Sequence, residues 1–322
     1  MIFRNCSNYN ILKSNYTLSG RLAHTIINNN NNGNKLRFYS NSSPIDLVYS
    51  VIEPKVVVDK PSHGIKDVII LHGLFGSGSN WRSVSPKIAD QTHCNIIQVD
   101  QRNHGTSPHS DTFNYPIMVK DLYQLIEKHH KKEDGLCLIG HSMGGRVAML
   151  YALLHPETIK KLVIVDISPS QLKSNTIDEF KSYLERMKSM NLNEIKNRRE
   201  AEQWLEPVVP DKGVRQFLLT NLVMGDNGKY EWRIYIDGLL DNIHEITFFP
   251  APQNAHFDKA TLFIGGGKSK FIRDHDKELI QKYFPNSELK IVPNAGHWVH
   301  AEDPHTFVQM VSSFINDNGS QQ

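Results

Sequence analysis

Cysteine is scarce: Cys6, Cys94 and Cys137 are the only three in 322 residues, and none lies near another. That excludes a disulfide scaffold and a four-thiolate zinc site. No run approaches the roughly 20 apolar residues that a membrane-spanning helix requires. Charge of one sign is also lacking, with 36 basic against 34 acidic residues. The small basic excess is local: Arg4, Lys13, Arg21, Lys35 and Arg37 precede the first acid, Asp46. Setting them aside leaves 31 basic residues against 34 acidic, so no nucleic-acid surface is indicated. Metal-ligand spacings such as H-E-x-x-H are missing. Gly267-Lys268-Ser269 imitates the end of a phosphate-binding loop, but Leu262 stands where the first glycine is required. Gly73, Gly76 and Gly78 do not fit G-x-G-x-x-G either. Chemistry without metal or cofactor is therefore expected. What is present is globular: 39% hydrophobic residues, with 14 Phe, 11 Tyr and 4 Trp, in a chain long enough to bury a core without staples.

The acid-free start is rich in Ser and Asn and includes the low-complexity run Asn28–Asn32. Those features predict a mitochondrial transit peptide over residues 1–40, ending near the string RFYS at Arg37–Ser40, and a matrix location for the mature chain. A plain Asn-rich tail is the alternative.

Beyond residue 47, short apolar runs rich in β-branched residues recur at 67–73, 94–100, 135–142, 161–166, 260–266 and 288–294. Helical stretches separate them, at 116–130, 143–155, 275–284 and 304–316. Uniformly apolar strands alternating with helices predict a parallel sheet covered on both faces. Between Pro169 and Lys259 the rhythm breaks into helical patterning with no convincing strand. The expected organisation is an α/β core over 45–169 and 259–317, with a helical cap over 170–258.

Gly140-His141-Ser142-Met143-Gly144 follows an apolar strand and precedes a helix-forming run, the context that G-x-S-x-G requires. A serine on so tight a strand-to-helix turn stands above the sheet edge, and the glycines avoid clashes two residues either side. Ser142 is thus the candidate nucleophile. A hydroxyl needs a base, and His297, in Asn294-Ala295-Gly296-His297 after the last apolar run, is better placed than His72, His141 or His300. For the acid that orients it, Asp166 ends an apolar run at the same sheet edge and keeps the order Ser–Asp–His. Asp237 is the alternative, and Asp274 a further rival. Backbone N–H donors for an oxyanion are expected from Met143 and from Leu74 or Phe75 in His72-Gly73-Leu74-Phe75-Gly76.

The strings LHGLFGS, VDQRNHGTSPHS, LIGHSMGGR, VDISP and VPNAGHWVHAEDP resemble α/β-hydrolase-fold serine esterases. They are most similar to the group of α/β-hydrolase domain-containing protein 11 and its bacterial esterase relatives, from about Leu47 to Phe314. The resemblance implies a mitochondrial hydrolase of acyl esters or acylglycerols, a small-molecule substrate and no cofactor. In that design the acid usually follows the next-to-last strand, where this chain has Ser269; the resemblance implies Asp166 by bacterial pattern and Asp237 by eukaryotic pattern. Arg102 and His104 are expected to brace the rim. A thioesterase or protein deacylase, and a non-catalytic binding scaffold, are the competing readings.

Overall fold

The computed structural model describes residues 42–59, 61–130 and 134–318. The proposed transit segment, 1–40, lies outside them.

Among the described residues, seven strands form one sheet in the order β1-β3-β2-β4-β5-β8-β9: β1 (Tyr49–Ile52), β2 (Asp67–Leu71), β3 (Asn95–Val99), β4 (Leu136–His141), β5 (Lys161–Val165), β8 (Thr261–Gly266) and β9 (Ser287–Val292). All neighbours run parallel except β1, which pairs antiparallel with β3. β2, β4 and β8 are buried at every residue, because helices cover both faces. Strand periodicity divides their side chains. Ile69, Leu71, Leu138, Leu162, Ile164 and Phe263 face one core; Val68, Ile70, Ile139, Val163, Leu262 and Ile264 face the other.

Helices α1 (Ser85–Thr92) and α10 (Pro304–Asn316) pack together, and residues of both lie in the second core. Helices α2 (Tyr115–His129) and α3 (Met143–Leu154) pair over the first core, to which α8 (Lys277–Tyr283) also contributes. The short α9 (Val299–Glu302) leads into α10. Several starts are locally dictated. Asn114 accepts the Ile117 N–H at the head of α2, and Asp303 accepts that of Thr306 just before Pro304 opens α10.

Between β5 and β8 lies the insertion: α4 (Ser174–Lys188), α5 (Arg198–Leu205), α6 (Lys212–Leu218), β6 (Leu222–Met224), β7 (Tyr230–Trp232) and α7 (Ile236–Asn242). It is not wholly helical, as the sequence pattern suggested, because β6 and β7 form a small antiparallel hairpin. The edge strand β1 also escaped that pattern. Its central Ser50 and Val51 are exposed, so it shows no continuous apolar run.

Sequential strands progress outward in opposite directions from β2 and β4, which are hydrogen-bonded neighbours. Ligand crevices in open α/β sheets open beyond the carboxyl ends of strands at such a reversal. The loop after β2 carries Leu74 and the turn after β4 carries Ser142, so two separate sequence motifs become spatial neighbours.

Candidate active site

Ser142 sits between β4 and α3 with φ 53° and ψ −119°, in backbone space that side-chain-bearing residues rarely occupy. The turn closes only because its flanks are bare. A Cβ on Gly140 would lie 2.3 Å from Gly144 O, and one on Gly144 would lie 2.5 Å from His72 O. Ser142 stands at the helix N-cap, yet its hydroxyl makes no capping bond. It meets His297 Nε2 instead, at 3.1 Å.

The His297 ring is held on several sides. Its Nδ1 lies 2.7 Å from Asp166 Oδ2, and it stacks on Phe271 with centroids 4.0 Å apart. Its backbone carbonyl accepts from His141 Nε2 at 2.8 Å. Burial, and then the nearby His297 and His300 rings, push the His141 imidazole well below the usual histidine range. His141 is therefore neutral and serves as a fixed donor to the loop of its neighbour.

Asp166 follows β5 with φ 50° and is fully buried. Its Oδ1 accepts the Gly266 N–H at 2.9 Å, and its Oδ2 accepts the Ser269 hydroxyl as well as His297. Buried carboxylates are tolerable only when their lone pairs are used, and these are. Asp237, the alternative acid, lies in the first turn of α7, more than half exposed and paired with Lys188 Nζ at 2.6 Å. Asp274 is exposed and pairs with Lys277 at 3.0 Å. The histidine thus meets Asp166, and neither rival.

The expected oxyanion donors divide similarly. Among the described residues, the N–H groups of Leu74 and Met143 have no hydrogen-bond acceptor. The N–H of Phe75 does not share that freedom, for it donates to His104 Nε2 at 3.2 Å. That bond needs an unprotonated nitrogen, and burial, helped by the nearby His72 ring, pushes His104 down to about 3. Its Nδ1 donates to Arg102 O at 2.8 Å. Arg102 is itself fully buried and bidentate on Asp121, at 2.5 and 2.7 Å. Both residues therefore brace the loop after β2 from behind.

A cavity of ≈ 440 Å³ opens over Ser142 and His297. Its apolar wall includes Phe180 and Tyr183 of α4, Val214 and Phe217 of α6, Phe271 and Trp298. Phe217 is one of the insertion residues, with Phe180, Tyr183 and Val214, that line this space. Met187, Met190, Leu218, Leu222 and Leu239 are buried in the first core, and Met224 is 57% exposed. The indole of Trp204 lies beneath Arg186, whose guanidinium carbon stands 4.2 Å from the ring centroid.

The contributions of Ser269, Phe271 and His141 escaped a reading by motif. Ser269 is recognisable only as a missing acid, and the other two act through contacts between distant segments.

Comparison with known proteins agrees with this architecture. Residues 67–304 match the family model described as alpha/beta hydrolase fold. The chain is 38% identical over 279 residues to the sn-1-specific diacylglycerol lipase ABHD11 of Danio rerio, covering 85% of this chain and 84% of that protein. It is 32% identical over 256 residues to Esterase YbfF of Escherichia coli strain K12, covering 79% and 95% respectively. The solved structure of a marine microorganism esterase superposes with a TM-score of 0.77 at 34% identity, over 84% of this chain and 99% of that one. A match spanning most of the sheet and both ends of the Ser142–His297 contact makes this chain a member of the α/β-hydrolase fold family.

Proposed function

We propose that the chain is a serine-dependent carboxylic ester hydrolase acting on acyl esters or acylglycerols through an acyl-serine intermediate. One observation carries the reading: a hydrogen-bonded Ser142–His297–Asp166 series opens into a largely apolar cavity beside two backbone N–H groups that have no partner among the described residues. Its relatives named as a lipase and an esterase support the same reaction class.

In this reading Ser142 Oγ attacks the ester carbonyl carbon while His297 Nε2 takes the hydroxyl proton. Asp166 holds the ring in the tautomer whose Nδ1 carries hydrogen and stabilises the imidazolium that forms. The carbonyl oxygen becomes an anion between the Leu74 and Met143 N–H groups, which need not reorganise to receive it. Collapse of the tetrahedral adduct breaks the C–O bond to the alcohol, which leaves with the proton from His297. Water, deprotonated by the same ring, then releases the acid and restores Ser142.

The test is labelling with a fluorophosphonate. Wild type acquires one adduct on Ser142, Ser142→Ala acquires none, and an acyl-ester panel is hydrolysed by the former alone. Absence of an adduct on folded wild type would indicate a binding scaffold. A preference for acyl thioesters over matched oxygen esters by tenfold or more would favour a thioesterase or protein deacylase. We further propose that residues 1–40 direct the chain to mitochondria. A tagged full-length chain should enter and lose its N-terminus near Tyr39; import of a chain lacking 1–40 would defeat this.

A further inference from the structure

The loop that presents Leu74 is a four-residue turn, Gly73 to Gly76, closed by the Gly76 N–H on Gly73 O at 3.0 Å. Phe75 occupies its third position with φ 64°. A left-handed residue there is the mark of a type II turn, and glycine or asparagine is its ordinary occupant. A phenylalanine holds that conformation only when its surroundings over-determine it.

Two bonds on Phe75 supply the determination, and they come from different parts of the chain. His104, in the core, accepts its N–H. Asn221, in the insertion, donates Nδ2–H to its carbonyl at 2.8 Å. Asn221 is fully buried in the short helical turn Leu219–Asn221. Its side-chain amide also donates to Leu218 O at 3.2 Å, and its backbone carbonyl accepts the Arg233 N–H at 2.8 Å. Arg198 pins the surrounding backbone through Leu219 O at 2.6 Å and Leu222 O at 2.7 Å. The donor is therefore held rigidly at the point where it meets the turn.

From this arrangement we infer that Asn221 is a positioning residue for the oxyanion site. It acts through the Phe75 carbonyl to keep the Gly73–Gly76 turn in the conformation that leaves the Leu74 N–H free beside Ser142. The insertion thus completes the reaction machinery as well as covering it. The inference rests on the ester-hydrolase reading above. Releasing Phe75 O lets the turn relax towards negative φ at Phe75. That relaxation turns the two peptide planes that flank Phe75 and, through Leu74, shifts the adjoining Gly73–Leu74 plane, which carries the oxyanion donor. Loss of a whole donor costs about 10²–10³-fold in kcat, so misaiming one is expected to cost roughly 10- to 100-fold.

The experiment compares wild type with Asn221→Leu, which keeps the side-chain volume and removes the donor. Fold is checked by melting temperature and near-ultraviolet circular dichroism. Wild type must first form the fluorophosphonate adduct on Ser142; if it does not, the ester-hydrolase reading fails and Asn221 is not at issue. With that established, the variant should lose about 10- to 100-fold in kcat on p-nitrophenyl butyrate, with KM within twofold. Its affinity for 1,1,1-trifluoro-2-hexanone, which binds as a serine oxyanion adduct, should fall in the same proportion as kcat. Unchanged kcat in the folded variant overturns the inference. So does a rise in KM alone with ketone affinity retained, because that pattern belongs to a pocket wall. If Asn221→Leu does not fold, Asn221→Ser, whose hydroxyl is too short to reach Phe75 O, is held to the same outcomes.

Discussion

Ser269 and His297 converge on one oxygen, Oδ2 of Asp166, while the other carboxylate oxygen is taken by the Gly266 N–H. The carboxylate therefore cannot rotate without breaking bonds on three sides. Ser269, which occupies the position where the resemblance implies an acid, instead donates to the carboxylate proposed for that role.

Ser269→Ala should consequently lower kcat by about tenfold, the value of one hydrogen bond to a charged acceptor. Ser269→Thr keeps the hydroxyl and should retain most activity. Initial rates on a p-nitrophenyl ester decide it, and equal rates for the alanine variant and wild type would show that Gly266 alone suffices.

The cavity wall predicts a chain-length profile. Each methylene buried against apolar residues contributes about 0.8 kcal/mol, or roughly fourfold in kcat/KM, until the space is filled. Butyrate and hexanoate esters should exceed acetate, and Phe217→Ala should reduce hexanoate more than acetate. A profile that is flat or falls from the two-carbon acyl group upward would contradict an acyl role for this wall.

Buried neutral histidines predict an acid sensitivity of the fold. Burial pushes His300 and His104 each down to about 3, against an ordinary value of 6.5. Between those values the unfolded chain binds protons that the folded chain refuses, so stability rises with pH and is lost as pH falls from 6.5 towards 3. Each ring contributes a slope of at most about 1.4 kcal/mol per pH unit. His300 stacks on Trp81 at 4.1 Å, and its Nδ1 has no partner among the described residues. His300→Phe should therefore flatten the pH dependence of urea unfolding by close to one proton. An unaltered slope would mean that His300 takes up its proton in the folded state.

What could be read directly from residue order follows from period and strain. Strands buried on both faces, such as β2 and β4, must be continuously apolar, and a serine elbow must have bare flanks, so both announce themselves locally. The edge strand β1 has exposed residues at its centre and offers no such run. The β6–β7 hairpin did carry a signal, Asn227-Gly228 with Gly228 at φ 74°, but its three-residue strands are too short to show alternation. The state of the Phe75 N–H and the role of Asn221 depend on bonds spanning 29 and 146 residues. No local pattern reports a contact of that kind. Asp166 is legible as a strand-end aspartate in the order Ser–Asp–His, but its contact with His297, 131 residues away, is not.

That separation makes the acid the most direct test of the site. If Asp166 orients His297, Asp166→Asn leaves the ring in the wrong tautomer and its cation unsupported. The equivalent change in the serine-protease template lowers kcat about 10⁴-fold; a loss of at least roughly a hundredfold is expected here. Asp237→Asn removes an exposed carboxylate whose pairing with Lys188 is screened by solvent, and should leave kcat within about twofold. Both variants need a melting curve beside the rate, because Asp166 also accepts the Gly266 N–H and its loss can loosen the β8 end. A folded Asp166→Asn near wild-type rate with an inactive Asp237→Asn would move the acid into α7. Reaching His297 from there would require α7 to leave its Lys188 contact, a rearrangement that Lys188→Ala should then promote.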